Sequence, residues 1–343
     1  MRLFRSLAAA LLAVALSGPA AARADTLERV REAGALRCGI TASGAGLASV
    51  DEGGRWQGFF IDMCRALAAA AAGRADRVDY VEVSAANRFA ALRGGEVDVI
   101  MDGTTWTLQR DATFGVDFPA VYLFDGQGFI AHRSRAAASV ADLAGEAASV
   151  CVVERTTTLR NLEDWMARTG ARFAVKRVRS TEGAMSAFFN HHCDLYTGDR
   201  IGLHAQRRLK APNSADYVVR PEVISKEPLG PMVRGDDKRW HDIVRWVFLA
   251  TVLAEEEGVT AANAAARRDR ADGELRRLLG AAPGLGLGLG LDDDWAWRVI
   301  TQVGNYGEIF DRHLGAGSPL GIERGMNALW TRGGLMYAPP LGG

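Results

Sequence analysis

The chain has 343 residues, 48% hydrophobic and 24% charged, which is the composition of a folded protein and not of a disordered one. Its 41 basic and 41 acidic side chains cancel, with no basic surplus to suggest a nucleic-acid partner. The length allows two ordinary domains or one large one.

Residues 1–24 read as a signal peptide. Arg2 and Arg5 give a positive start, residues 7–16 a short apolar run, and Ala22-Arg23-Ala24 a small-x-small cleavage site before Asp25. Ten apolar residues are too few to span a bilayer. Cleavage after Ala24 removes Arg2, Arg5 and Arg23. It leaves 319 residues with 38 basic and 41 acidic side chains, a net charge of −3. The later apolar run 247–254 is flanked by charge and reads as a buried helix face.

Past the cleavage point, Leu27, Val30 and Ala33 line a short helical face that Gly34 stops, and residues 35–40 read as a strand. A turn at 51–54 follows. The extended run 56–62 then leads into an Ala-rich helix over 63–72. Strands at 78–83 and 97–101 flank a helix at 88–92. Strands alternating with helices predict βαβ units and a mostly parallel sheet. The pattern repeats with different residues: strand 148–153, helix 159–169, strand 173–178, helix 181–190, strand 194–197. Two extended segments, 126–130 and 223–230, border this second unit. If both cross between units, the first is discontinuous and the hinge has two strands. Lobe one is then 25–127 with 229–343, and lobe two is 128–228. After a helix over 240–256, residues 284–291 alternate Gly and Leu. They lack the G-x-G-x-x-G spacing of a phosphate loop and read as a low-complexity surface loop. Trp295, Trp297, Val299, Ile300, Val303, Tyr306, Ile309 and Phe310 recur at helical spacing, predicting a helix within the extension 266–343 that packs on lobe one.

An exported chain with four cysteines, Cys38, Cys64, Cys151 and Cys193, suggests disulfides, with three possible pairings. Pairing within each half, Cys38 with Cys64 and Cys151 with Cys193, respects the domain division, whereas a bond across it would staple the hinge.

Catalytic templates are missing: there is no Walker loop, HExxH or GxSxG. His191-His192-Cys193-Asp194 is the one cluster with metal-binding residue types. Adjacent residues point apart, so no metal site is expected there. Three segments carry more, because each puts polar groups at the C-terminal end of a predicted strand, the ligand-binding edge of an open parallel sheet. Residues 102–110 offer hydroxyls, backbone N–H groups and Arg110, a set suited to a carboxylate. Arg155-Thr156-Thr157-Thr158 precede a helix, where hydroxyls and N–H groups favour an anion. Tyr196-Thr197-Gly198-Asp199 add a carboxylate that suits an ammonium. Together they describe a site for an α-amino acid.

The chain resembles the periplasmic amino-acid-binding proteins of ABC importers, solute-binding protein family 3, and within them the general L-amino-acid-binding branch. The resemblance runs over essentially the whole mature chain. It is carried by GFFIDMC (58–64), GGEVDVI and TTWTLQRD (94–111), DGQGF (125–129), RTTTL (155–159), CDLYTGD (193–199), ISKEPLGP (224–231) and DIVRW (242–246). The segments DDDWAW, QVGNYGEIFDR, IERGMNALW and GGLMYAPP (292–340) form a longer tail that is the most branch-specific part.

The resemblance implies a two-lobe α/β clamp of the type II periplasmic-binding-protein fold with a C-terminal helical extension. It also implies a free L-amino acid as ligand, an inner-membrane permease as partner, a periplasmic location and a monomer. It implies no cofactor, no metal and no catalysis. Arg110 with Gly103 and Thr105 would hold the ligand carboxylate from lobe one, and Thr156 and Thr157 would add contacts from lobe two. Asp199 would hold the ammonium, and Phe59 would pack on the ligand side chain. Leu47 stands where the family usually has an aromatic, Arg155 where it has Gly, and Gly103 aligns with an Asn. The alternatives are an enzyme on the same scaffold, resembling cyclohexadienyl dehydratases, or a receptor-coupled sensor. The enzyme needs a general acid such as Glu, and only Glu154 adjoins a site loop.

Overall fold

A computed structural model describes residues 25–44, 46–135, 139–145 and 148–342. The expected signal peptide lies outside the described residues. The Asp25 side chain accepts the Leu27 N–H at 2.9 Å and starts the helix Thr26–Ala33, which Gly34 ends at φ 67°. Strand Leu36–Ile40 sits in the middle of a parallel three-stranded sheet, with Val78–Glu82 on one side and Val99–Ile100 on the other. The third strand is shorter than the apolar run 97–101 suggested.

Helix Phe59–Ala71 covers this sheet with twelve buried residues. It begins four residues before the expected start, and only Trp56–Gln57 of the extended run is strand, paired with Ser49–Val50. Gly58 is the reason: at φ 133° it turns the chain, and a Cβ there would lie 2.2 Å from the Leu47 carbonyl oxygen. Cys64 of this helix is disulfide-bonded to Cys38 of the central strand, their Cα atoms 6.2 Å apart.

The second unit is a six-stranded sheet. Its order is Tyr217–Val219, Leu123–His132, Leu195–Asp199, Ser149–Val153, Ala174–Val178, with Ser225–Leu229 on the near half of the long strand. Alternate residues of that strand face opposite ways: Phe129 joins one apolar cluster with Val150 and Leu162, and Ile130 joins another with Phe188 and Tyr217. Cys151 and Cys193 form the second disulfide. Asp194 accepts hydrogen bonds from the Ser149 N–H and hydroxyl and pairs with Arg135 at 2.9 Å, so this part of the His-His-Cys-Asp cluster is structural.

The two expected crossing segments pair with each other. Leu123–Gln127 runs antiparallel to Ser225–Leu229, and the same strand continues as Gln127–Ala131 against Leu195–Asp199. This register puts Asp125 directly opposite Glu227.

Helix Lys238–Glu256 returns to the first unit. Asp237 caps it, and its Trp240 donates an indole N–H to the Asp98 carbonyl at 2.9 Å. The C-terminal aromatic segment forms two helices where the sequence suggested one, Trp295–Gln302 and Tyr306–His313. Gly304 at φ 111° breaks the run, and Asn305 with Glu308 caps the second helix reciprocally. The first of these helices lies on Phe59–Ala71, and both touch Lys238–Glu256. Tyr306 and Phe310 are fully buried. The Gly-Leu segment is a loop held by the Asp293 carboxylate, which accepts the Gly284 and Gly286 N–H groups. Leu287 is exposed, but Leu285, Leu289 and Leu291 join the core.

Candidate functional site

A cavity of about 230 Å³ lies between the two units, walled by both. From the first unit come Leu47, Phe60, Arg88, Gly103, Thr105 and Arg110, and from the second Thr156, Thr157, Thr158, Tyr196 and Asp199.

The turn after Val99–Ile100 is organised by Asp102, which is fully buried. It accepts hydrogen bonds from Thr41 at 2.9 Å, from Arg88 at 3.0 Å and from Thr104. Thr107 then caps the short helix Leu108–Thr113 by accepting the Arg110 N–H, placing Arg110 in the first turn. Arg110 is 6% exposed. One arm of its guanidinium donates to the Thr105 carbonyl at 2.6 Å, and the Phe89 ring lies 5.6 Å away. No carboxylate pairs with it among the described residues. Burial lowers its pKa to about 10, with the Arg88 charge adding to the effect. A buried cation lacking a counter-ion costs stability unless a ligand supplies one.

Thr156 caps helix Thr157–Thr169. Its hydroxyl accepts from the Leu159 N–H and donates to the Val153 carbonyl at 2.7 Å. Both hydrogen-bonding roles are local, so Thr156 contributes shape. The Thr157 hydroxyl lies 3.1 Å from that of Thr105 across the cleft. Arg155, at the position the family usually gives to Gly, has φ 60°, the left-handed region where glycine is at ease. It is exposed and lines a neighbouring groove with Arg160 and Glu163, outside the main cavity.

Asp199 ends strand Leu195–Asp199 and begins helix Arg200–Leu209, yet its side chain does not cap that helix. Burial pushes its carboxyl well above the usual range. Glu227 and Asp125 push the same way, against Arg110 and Arg88. A Cβ on Gly103 would stand 3.7 Å from the Asp199 carboxylate, so Gly103 brings the first unit's backbone close to that group.

Phe59 does not meet the cavity. It is fully buried against Tyr122 and Tyr306, and Phe60 lines the wall instead. The cause is the early helix start: successive helical residues differ by about 100° in direction. Leu47 does line the wall, and its side chain approaches Gly202 of the second unit. Glu154 does not line the cavity; its N–H is spent on the Val178 carbonyl.

Four carboxylates escaped the sequence reading: Glu82 and Glu182, exposed on the cavity wall, and the buried Glu227 and Asp125. Glu227 accepts from Thr105 at 2.5 Å, Asn161 at 2.8 Å and Ser225 at 2.5 Å, joining both units beneath the cavity. Asp125 lines the cavity and accepts the Gly126 and Ile201 N–H groups, while burial lifts its pKa to about 7. The one signal for Asp125 and Glu227 was position: Asp125 directly precedes the crossing segment 126–130, and Glu227 lies within 223–230. A further contact, Arg160 to Gln109 at 2.9 Å, closes the cleft rim.

Residues 36–280 match the family of bacterial extracellular solute-binding proteins, family 3. The general L-amino acid-binding periplasmic protein AapJ of Rhizobium johnstonii is 42% identical over 338 residues, covering 98% of this chain and 97% of that protein. The glutamate/glutamine/aspartate/asparagine-binding protein BztA of Rhodobacter capsulatus is 44% identical over 324 residues, covering 93% and 94%. Among solved structures, an ABC transporter periplasmic binding protein from Brucella ovis with glutathione bound superposes with a TM-score of 0.89 at 42% identity, covering 93% of this chain and 99% of that one. With matches of this length and the two-unit α/β architecture, the chain belongs to the family 3 bacterial extracellular solute-binding proteins and has their two-lobe type II fold.

Proposed function

We propose that the chain is the periplasmic substrate-binding component of an amino-acid ABC importer, taking free L-α-amino acids of varied side chain and presenting them to an inner-membrane permease. One observation carries this reading. Among the described residues, the cavity holds a buried guanidinium without a carboxylate partner, Arg110, and a carboxylate without a cation partner, Asp199. A zwitterion supplies both missing charges. Arg110, with the backbone at Gly103 and the hydroxyls of Thr105 and Thr157, takes the carboxylate. Thr156 shapes the second lobe's wall, Asp199 takes the ammonium, and Leu47 and Phe60 face the side chain. The relatives' names support amino acids as the class of ligand.

The lobes divide at the paired crossing strands, with 25–127 and 229–343 on one side and 128–228 on the other. Ligand stabilises the closed form because only there do both lobes touch it. The mature chain starts at Asp25 and acts as a monomer. The glutathione of the Brucella protein is the larger alternative. A cavity of about 230 Å³, below the roughly 300–1,000 Å³ of drug-sized pockets, favours the single amino acid.

Calorimetry with amino acids, their carboxamides and their N-acetyl derivatives tests this. Free amino acids are expected to bind and both blocked series to fail, with ligand recovered unchanged. Equal binding of the blocked forms would overturn the reading.

A further inference from the structure

The wall of the cavity beyond Asp199 is one face of a helix. Asp199, Gly202, Leu203 and Gln206 are spaced i, i+3, i+4 and i+7, and all four line the cavity. Gly202 keeps this face low: a Cβ there would meet only Leu47, at 4.0 Å. Leu47 and Leu203 make an apolar path between the carboxylate at one end and Gln206 at the other.

Gln206 is 4% exposed, and its carbonyl Oε1 has no hydrogen-bond partner among the described residues. The rest of its amide meets the Tyr196 hydroxyl, which also meets Thr181. A buried acceptor left unpaired is costly, and native proteins rarely leave one without a reason. Asp199 and Gln206 are seven residues apart, about 10 Å along the axis. A helical glutamine leans back toward the N-terminus, which shortens the gap. An amino acid with its ammonium at Asp199 and two or three methylenes along Leu203 brings its side-chain end to Gln206.

The chemistry at that end is constrained. The partner must donate a hydrogen bond, which a carboxylate cannot do. A carboxylate would also add negative charge to a cavity that already holds Asp199 and Asp125. A cationic side chain also donates, but Arg88, Arg110 and Arg179 line the cavity and oppose it, against Glu82 and Glu182. Among uncharged donors, a hydroxyl on one carbon falls short of Gln206, and a carboxamide on two methylenes reaches it.

We infer that Gln206 is a specificity residue whose unpaired carbonyl oxygen accepts a hydrogen bond from the side-chain carboxamide of the ligand. The carboxamide is the primary amide of glutamine or the secondary amide of a γ-glutamyl peptide. The inference rests on the amino-acid reading of the same cavity.

The test is calorimetry on the full mature chain, stripped of bound ligand by unfolding and refolding, with glutamine, glutamate, alanine and γ-glutamylglycine. Glutamine is expected to bind more tightly than glutamate. Gln206→Leu is expected to weaken glutamine by about 5- to 100-fold, the cost of an unmet donor, and to leave alanine within about twofold. Gln206→Met, nearer in shape, serves if the leucine variant melts early. The same loss confined to γ-glutamylglycine would keep the inference and assign the amide to the peptide. Unchanged glutamine and γ-glutamylglycine affinity in either variant, with alanine still bound, would overturn the role of Gln206 alone. A variant that weakens glutamate in place of glutamine would overturn the carboxamide assignment. Failure of alanine and every other amino acid to bind the unaltered chain would instead overturn the amino-acid reading.

Discussion

Two carboxylates in this molecule, Asp62 buried and Asp199 half-buried, meet opposite surroundings. Asp62, on helix Phe59–Ala71, accepts hydrogen bonds from Arg65 at 2.8 Å, from Arg312 at 2.8 and 3.0 Å and from His313 at 2.7 Å. Burial alone would raise its pKa, but the His313 bond and charge, with Arg312 and Arg65, hold it down to about 2. Asp199 has no such shell. Among the described residues no cation pairs with it, its nearest acidic neighbours are Asp125 and Glu227, and its carboxyl is pushed up. Asp62 fastens the C-terminal extension to the first lobe with cations that the chain itself supplies. The cleft leaves its balance open at both Arg110 and Asp199. Such an imbalance lowers stability and creates affinity, because binding is what neutralises it.

The largest expected effect breaks the cleft side of this contrast. Truncating one partner of a buried charge pair costs about 2–5 kcal/mol, roughly 30- to several-thousand-fold in affinity. Arg110→Ala and Asp199→Ala should each weaken every amino-acid ligand by that order. The volume-matched Arg110→Met should weaken binding by the same order yet hold or raise the melting temperature of the ligand-free chain, since it removes a buried cation with no carboxylate partner among the described residues. A fall of several degrees in Arg110→Met would show that the guanidinium holds the fold together and is not reserved for ligand.

The extension side breaks differently. Asp62→Ala strips the shared acceptor from Arg65, Arg312 and His313. Removing one partner of a buried pair costs about 3–5 kcal/mol. Arg312 is nearly half exposed, so solvent screening reduces this to about 2–3 kcal/mol. Scanning calorimetry should show a loss of about 3–5 °C. Ligand affinity should stay within about twofold, because Asp62 lies outside the cavity. An unchanged melting temperature would mean that the extension is held by its apolar contacts alone.

The sequence exposed one of these two sites and hid the other. Arg110, the Thr pairs and Asp199 were legible because each follows a predicted strand in a loop whose residue types suit one half of a zwitterion. The alternation of strands and helices carried the two units, and the disulfide partners followed from their division. What stayed hidden depends on residues far apart in sequence. Asp62 meets Arg312 some 250 positions on, and Glu227 meets Thr105 over 122. No local pattern announces such a partner. Phe59 and Phe60 are both aromatic in one motif, and which faces the cavity turns on a helix start fixed by Gly58 against the Leu47 backbone. The helix Arg200–Leu209, and with it Gln206, follows Asp199 so directly that the strand before it drew the assignment.

The smallest effect is the sharpest on the contrast, because the two carboxylates should answer pH in separate ranges. The folded pKa of Asp62, about 2, is depressed from 3.8. Its contribution to stability is therefore present above about 4 and lost as pH falls toward 2. It adds no slope near neutrality. In the empty cleft the sign reverses. The raised pKa of Asp199 means that the free site holds a proton over a range where an ordinary carboxylate does not. Burial, with Glu227 adding to it against the backbone N–H groups and Arg200, lifts Asp125 to about 7. These groups titrate together. A ligand ammonium at Asp199 favours the ionised form, so binding expels the proton. Affinity should be full above the raised pKa and fall as pH drops through it, by at most about 1.4 kcal/mol, or tenfold, per pH unit and proton. Calorimetry of serine binding between about pH 5.5 and 8, in buffers of different ionisation heat, counts the protons. Release should fall as pH rises, and Asp125→Asn should shift the midpoint downward by removing a neighbouring negative charge. A flat profile would show that the cleft carboxylates are already ionised, and the difference from Asp62 would then be one of partners only.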